Sequence, residues 1–225
     1  MIVTPQSLFS NARGRLAAAG LALLVSGCSV IPASKFVDRY GDPKPAPENL
    51  TLCEGYSCHF GTHVALSTAE WAQVKAVFTP PAASAAAERE QVARAVETLD
   101  LLVAQHTGTA VQQRRDWINR SDPSQVDCVD HTVNTVTYLR LFFDTGLLHW
   151  NHPGEPAHRG TIIGWDVANT AVLVENDSNH GYSIDTALGD VGLPPYVIPV
   201  EQWVAGPIPG FRNNPALPQS SGRGA

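Results

Sequence analysis

The residues that decide the fold are Cys128–Phe143 (CVDHTVNTVTYLRLFF), followed by Thr170–Glu175 (TAVLVE) and Tyr182–Thr186 (YSIDT). In the first stretch Val129, Val133, Val136, Leu139 and Phe143 recur at helical spacing and share one face. Asp127 is a good N-cap, and Asp130 stands three residues further on, as in a capping box. The other two stretches are short and β-rich, and Asn176-Asp177-Ser178-Asn179 supplies the turn between them. Gly160–Gly164 (GTIIG) reads as one more strand, and Val197–Val200 before Trp203 as an edge segment. Close spacing predicts an antiparallel meander under the Cys128 helix.

Upstream the pattern is helical. Ser67-Thr68-Ala69-Glu70 is a capping box, with Trp71, Val74 and Phe78 following and Pro80-Pro81 ending the helix. A longer helix runs from Ser84 to His106, with Val92, Val96, Leu99, Val103 and His106 in one stripe. Thr107-Gly108-Thr109 closes it. Helices first and strands second predict an α+β domain: N-terminal helices, then a cysteine-bearing helix on a short antiparallel sheet.

The chain has 225 residues, 44% of them apolar and 16% charged, enough for one domain with appendages. Lys and Arg number 15 against 21 Asp and Glu, a net charge of −6, which argues against non-specific nucleic-acid binding. No internal repeat points to a solenoid or propeller.

The first residues carry Arg13 and Arg15 and no acid, and Leu16–Gly27 (LAAAGLALLVSG) is an apolar run. Twelve residues span about 18 Å as a helix, short of the ~30 Å hydrocarbon core, so residues 1–27 read as a signal peptide. Leu24-Val25-Ser26-Gly27-Cys28 resembles a bacterial lipobox. That resemblance implies that the mature chain starts at a diacylglyceryl Cys28 and is held in the cell envelope by lipid. Ser29 rather than Asp follows the cysteine, which favours the outer membrane, on its periplasmic side. Residues 28–50, with Pro32, Pro43, Pro45 and Pro47, read as a tether. Residues 51–205 read as the folded domain, and the Pro-, Gly- and Ser-rich residues 206–225 as a disordered tail.

Four cysteines define the chemistry. Cys28 is the lipidation residue. Cys53 and Cys58, in LCEGYSC, suit a local disulfide in an oxidising compartment. A metal site there would need two further ligands, and only His59 and His63 stand nearby. His149 and His152 lack a nearby third ligand and no HExxH spacing occurs, so neither a metal nor another cofactor is expected. Cys128 is the remaining thiol. At a helix N-terminus it gains thiolate character from unpaired N–H groups, while Asp127 and Asp130 oppose this unless both serve as caps.

A cysteine opening a helix on an antiparallel sheet, with Asp185 on the strand after TAVLVEN, resembles the transglutaminase-like, papain-like cysteine peptidase superfamily. The resemblance covers about residues 125–190. It implies a cysteine hydrolase or acyltransferase acting on amide bonds of a protein or peptide. In that role Cys128 is the nucleophile and Asp185 orients an imidazole. The family places histidine at the head of the middle strand, where this chain has Ala168-Asn169. His158, or alternatively His131, then has to supply the base; His180 lies in a turn. Without a base the same fold is expected to serve as a binding or scaffold module.

Overall fold

The computed structural model describes residues 32–109, 126–160, 167–187 and 193–206. Five helices and six strands are described: α1 (Ala33–Tyr40), β1 (Leu50–Glu54), β2 (Phe60–Val64), α2 (Thr68–Val77), α3 (Ala85–Thr107), α4 (Cys128–Asp144), β3 (Asn151–Arg159), β4 (Ala168–Glu175), β5 (Gly181–Asp185), β6 (Tyr196–Pro199) and α5 (Val200–Val204). The fold is α+β. An antiparallel sheet in the order β3-β4-β5-β6 packs against α4, and β1-β2 forms a separate antiparallel hairpin.

The expected helices form where their end signals stand. Ser67 and Glu70 make a reciprocal capping box on α2, Ser84 caps α3, and Gly108 closes α3 at φ 74°. Val92, Val96, Leu99 and Val103 are buried as their spacing predicts, whereas His106 is exposed and pairs with Glu70. In α4, Val129, Val133, Val136 and Leu139 face the core; Phe142 joins them, and Phe143 points to solvent.

Three parts of the sequence reading change. Within the expected tether, α1 is packed against α4 and β3, with Ala33 and Val37 buried. Its two buried residues lie four apart and give eight residues just enough apolar face to dock. The cysteine loop is the turn of the β1-β2 hairpin. The first strand of the main sheet begins at Asn151, well before Gly160; residues 161–164 of the expected strand lie outside the described residues. Pro153, Gly154 and Pro156 hide β3, but it is an edge strand with a register shift between Gly154 and Ala157, where missing N–H donors are tolerated. The expected signal peptide, Cys28 and all but Gly206 of the expected tail also lie outside the described residues.

Glu88, in the first turn of α3, has almost no solvent exposure. Its carboxylate accepts from the backbone N–H groups of His149, Trp150 and Asn151 and from Asn151 Nδ2, at 2.7–3.2 Å. This fixes where β3 starts relative to α3. Beside it Arg89 bridges Glu175 at 3.1 Å and lies 3.6 Å from the centre of the Tyr182 ring.

Asp100 of α3 is a second acid turned inward, half-buried. Burial raises its pKa to about 7, against the opposing hydrogen bond from Tyr138 of α4. A folded-state pKa above the unfolded ~3.9 means that the ionised form is disfavoured in the fold. The stabilising contribution is full below about pH 4 and is lost as pH rises through 7. Asp100→Asn removes this titration. The difference in urea-unfolding free energy between the variant and the parent is therefore expected to move in the variant's favour between pH 4 and 8. The change is on the order of 3 kcal/mol. Taking the difference cancels the contribution of His131, whose depressed pKa acts in the opposite direction. A pH-independent difference would show that Asp100 is solvated.

Candidate functional site

The N-terminus of α4 is assembled by two acids acting as caps. Asp127 Oδ1 accepts from Val129 N and Asp130 N at 2.9 and 3.0 Å. Asp130 Oδ2 accepts from Asp127 N at 3.0 Å, completing the capping box. The same buried carboxylate accepts from Tyr56 N at 2.8 Å and Cys58 N at 2.6 Å. Those donors belong to Gly55–Cys58, four successive residues with φ between 56° and 77°. Left-handed backbone costs a non-glycine residue about 1–2 kcal/mol. Two constraints hold it here: the Asp130 carboxylate, and the Cys53–Cys58 disulfide with its Cα atoms 4.5 Å apart. Burial, then the charge of Asp127, raise the Asp130 pKa to about 7. Asn134 completes the join between α4 and β1 by bonding both backbone groups of Cys53.

Cys128 is the first residue of α4 and is buried. It is disulfide-bonded, so in this state its sulfur is not a thiolate. Cys53, Cys58 and Asp130 place three potential ligand atoms within 4.8 Å of one another, but both sulfurs are consumed by their shared disulfide. That leaves one carboxylate, which does not make a metal centre.

The residue facing Cys128 is Asn169, at the head of β4. Its Nδ2 lies 3.7 Å from Cys128 Sγ. Its Oδ1 accepts from Ala33 N at 2.8 Å and stands 3.0 Å from His158 Nδ1. With Oδ1 as acceptor, His158 donates from Nδ1. The order through this buried cluster is therefore sulfur, carboxamide, imidazole. His158 enters from β3, as its register opposite Asn169 requires.

The other expected site residues are placed differently. His131 lies one turn after Cys128 on α4, with Nδ1 3.4 Å from Thr186 Oγ1. Burial pushes its pKa down to about 4, so it is neutral at pH 7. Asp185 lies on β5 and is buried. Its Oδ2 accepts from Trp203 Nε1 at 2.7 Å and its Oδ1 from Ala187 N at 3.0 Å. Arg159 lies over the Trp203 ring at 4.4 Å and donates to Trp203 O at 2.8 Å. His180, in the β4–β5 turn, bonds Glu201 at 2.8 Å.

The structure thus brings Cys128, Asn169 and His158 together and gives Asp185 an indole partner. The part played by Asn169 was marked in the sequence by its place at the head of the middle strand. Trp203 carried no comparable signal, because nothing in its neighbourhood points back to Asp185. Compared with known proteins, the chain matches no family model, no curated protein and no solved structure.

Proposed function

We propose that this chain is a lipid-anchored protein of the bacterial envelope whose α+β domain, on a transglutaminase-like plan, serves as a non-catalytic binding or scaffold module. One observation carries the non-catalytic reading: the side chain that donates toward Cys128 Sγ is the carboxamide of Asn169, at 3.7 Å, and not an imidazole. A carboxamide accepts no proton from a thiol at neutral pH, so it cannot generate the nucleophile. The imidazole beside Asn169, His158, spends Nδ1 on Asn169 Oδ1. Asp185, whose part in the hydrolase reading is to orient an imidazole, holds Trp203 Nε1 at 2.7 Å. A general base contributes about 10²–10⁴ in rate, and its loss leaves at most slow chemistry. What the arrangement supports is rigidity: the cleft is cross-linked by hydrogen bonds from α1, β3, β4 and α4.

The lipid anchor rests on Cys28 and the apolar run before it. A thioether sulfur forms no disulfide, and Cys53 and Cys58 are paired with each other. Lipidation of Cys28 and an intrachain disulfide at Cys128 therefore exclude each other within one molecule. The mass of the peptide carrying Cys28, from membrane-extracted protein, decides between them; a diacylglyceryl mass supports the anchor and its absence removes it.

The catalytic question has its own test, a haloacetamide peptide probe on folded protein. After reduction, Cys128 of the folded parent is expected to label no faster than in the reduced, urea-denatured control. In the same reduced state Asn169→His is expected to raise labelling of Cys128 at pH 7 by tenfold or more, because an imidazole then faces the sulfur. Rapid labelling of the reduced parent protein, together with amide hydrolysis abolished by Cys128→Ala, would establish the hydrolase instead.

A further inference from the structure

The Cys128–Asn169 site and the anchor are linked through a short stretch of sequence. Ala33, the first residue of α1, is buried and donates its N–H to Asn169 Oδ1 at 2.8 Å. Asn169 in turn touches Cys128 Sγ. Five residue steps lead from Cys28 to Ala33 in the sequence. An extended chain spans at most about 3.6 Å per residue, so those five reach no further than about 18 Å. A lipid carried on Cys28 therefore holds one end of the domain against the bilayer. A long tether would have let the domain turn freely.

From this we infer that the domain sits in a fixed orientation, with α1 and the Cys128–Asn169 end of the main sheet toward the lipid surface and the β4–β5 turn pointing away. The inference rests on lipidation of Cys28 and so concerns the state in which Cys128 carries no disulfide. The chemistry of α1 suits the position. Ala33 and Val37 are buried on its inner side, while Lys35, Arg39 and Tyr40 are exposed. Arg39 also lies 5.1 Å from the centre of the Tyr40 ring. Cations beside an aromatic ring at a helix surface match the headgroup region of an anionic bilayer. Asp38 is the only acid on the helix.

The opposite end is polar. Residues 176–180 of the β4–β5 turn are exposed. Six residue steps along β4 separate Asn169 from Glu175, about 20 Å at strand rise. A groove of about 660 Å³ on the outer face of the sheet, lined in part by Val172, Gly181, Val200 and Val204, reaches Asn179 and His180 in this turn. In the inferred orientation that end of the groove opens away from the membrane, toward soluble molecules.

The test uses full-length protein, purified with its N-terminal modification and reconstituted in vesicles of phosphatidylethanolamine and phosphatidylglycerol. A benzophenone amino acid replaces Arg39 in one variant and Asp177 in another; both positions are exposed and neither belongs to the cleft. After illumination the yield of lipid adduct from position 39 is expected to exceed that from position 177 by tenfold or more. Equal yields, or a higher yield from position 177, would overturn the orientation. Peptide mass at Cys28, read on the same samples, separates the two possible failures. An unmodified Cys28 overturns the anchor itself, whereas a lipidated Cys28 with equal adduct yields overturns only the orientation.

Discussion

Glu88→Ala is expected to leave the domain unfolded at 25 °C. The parent carboxylate accepts from three successive backbone N–H groups, those of residues 149–151, and from Asn151 Nδ2. The two bonds to Asn151 are buried, the two to His149 and Trp150 partly so, and Glu88 and Asn151 both have essentially no exposure. A buried donor that loses its partner costs about 1–3 kcal/mol, and more when the lost acceptor carries charge. Four such losses amount to roughly 5 kcal/mol or more, comparable with the whole stability of a typical domain. Glu88→Gln keeps one acceptor oxygen and the side-chain volume, and is expected to fold with a loss of roughly 2–3 kcal/mol. Far-ultraviolet circular dichroism and urea unfolding report both variants. A Glu88→Ala protein with parent-like stability would show that water substitutes for the carboxylate.

Trp203→Ala is the second large effect. Trp203 is fully buried in the five-residue helix α5, and its indole joins Asp185 to Arg159. Truncating a buried tryptophan costs about 3–5 kcal/mol in transfer and cavity terms. The buried Asp185 carboxylate also loses a donor, a further ~1–3 kcal/mol. The expected loss exceeds about 4 kcal/mol by urea unfolding, with the α5–β5 end loosened first in hydrogen exchange. Trp203→Phe keeps most of the volume and loses the N–H, so it is expected to fall between the parent and Trp203→Ala. The pair bears directly on Asp185. If that residue serves Trp203, Asp185→Ala lowers stability, whereas an orienting acid would alter reactivity at Cys128 and leave unfolding almost unchanged.

The readable part of this protein is the part governed by local rules. The N-caps at Ser67, Ser84 and Asp127 need only a side-chain oxygen within three residues, so their positions could be read directly. The α3 stripe is periodic and so was legible, and carried back four residues from Val92 it reaches Glu88. That spacing was the available signal for a buried acid. It went unread because a charged residue in a first turn is ordinarily a solvated partner of the helix dipole. The Cys53–Cys58 pair was legible because four intervening residues, one of them a glycine, close the loop locally. Strand β3 was illegible because its prolines and glycine satisfy the rules for a turn; only an edge position in a sheet makes them acceptable in a strand.

The candidate site divides in the same way. Local sequence determined that Cys128 begins a helix, that two acids flank it as caps, and that no histidine heads the middle strand. Tertiary structure alone decided that Asn169 meets the sulfur, that His158 meets Asn169 and that Asp185 meets Trp203, pairs separated by 41, 11 and 18 residues. Caps and periodicities depend on neighbours three or four residues away, so the chain carries them in plain view. Which side chains share a buried space depends on sheet register and helix docking, and these are settled only when the apolar faces of α1, α4 and the sheet are buried together.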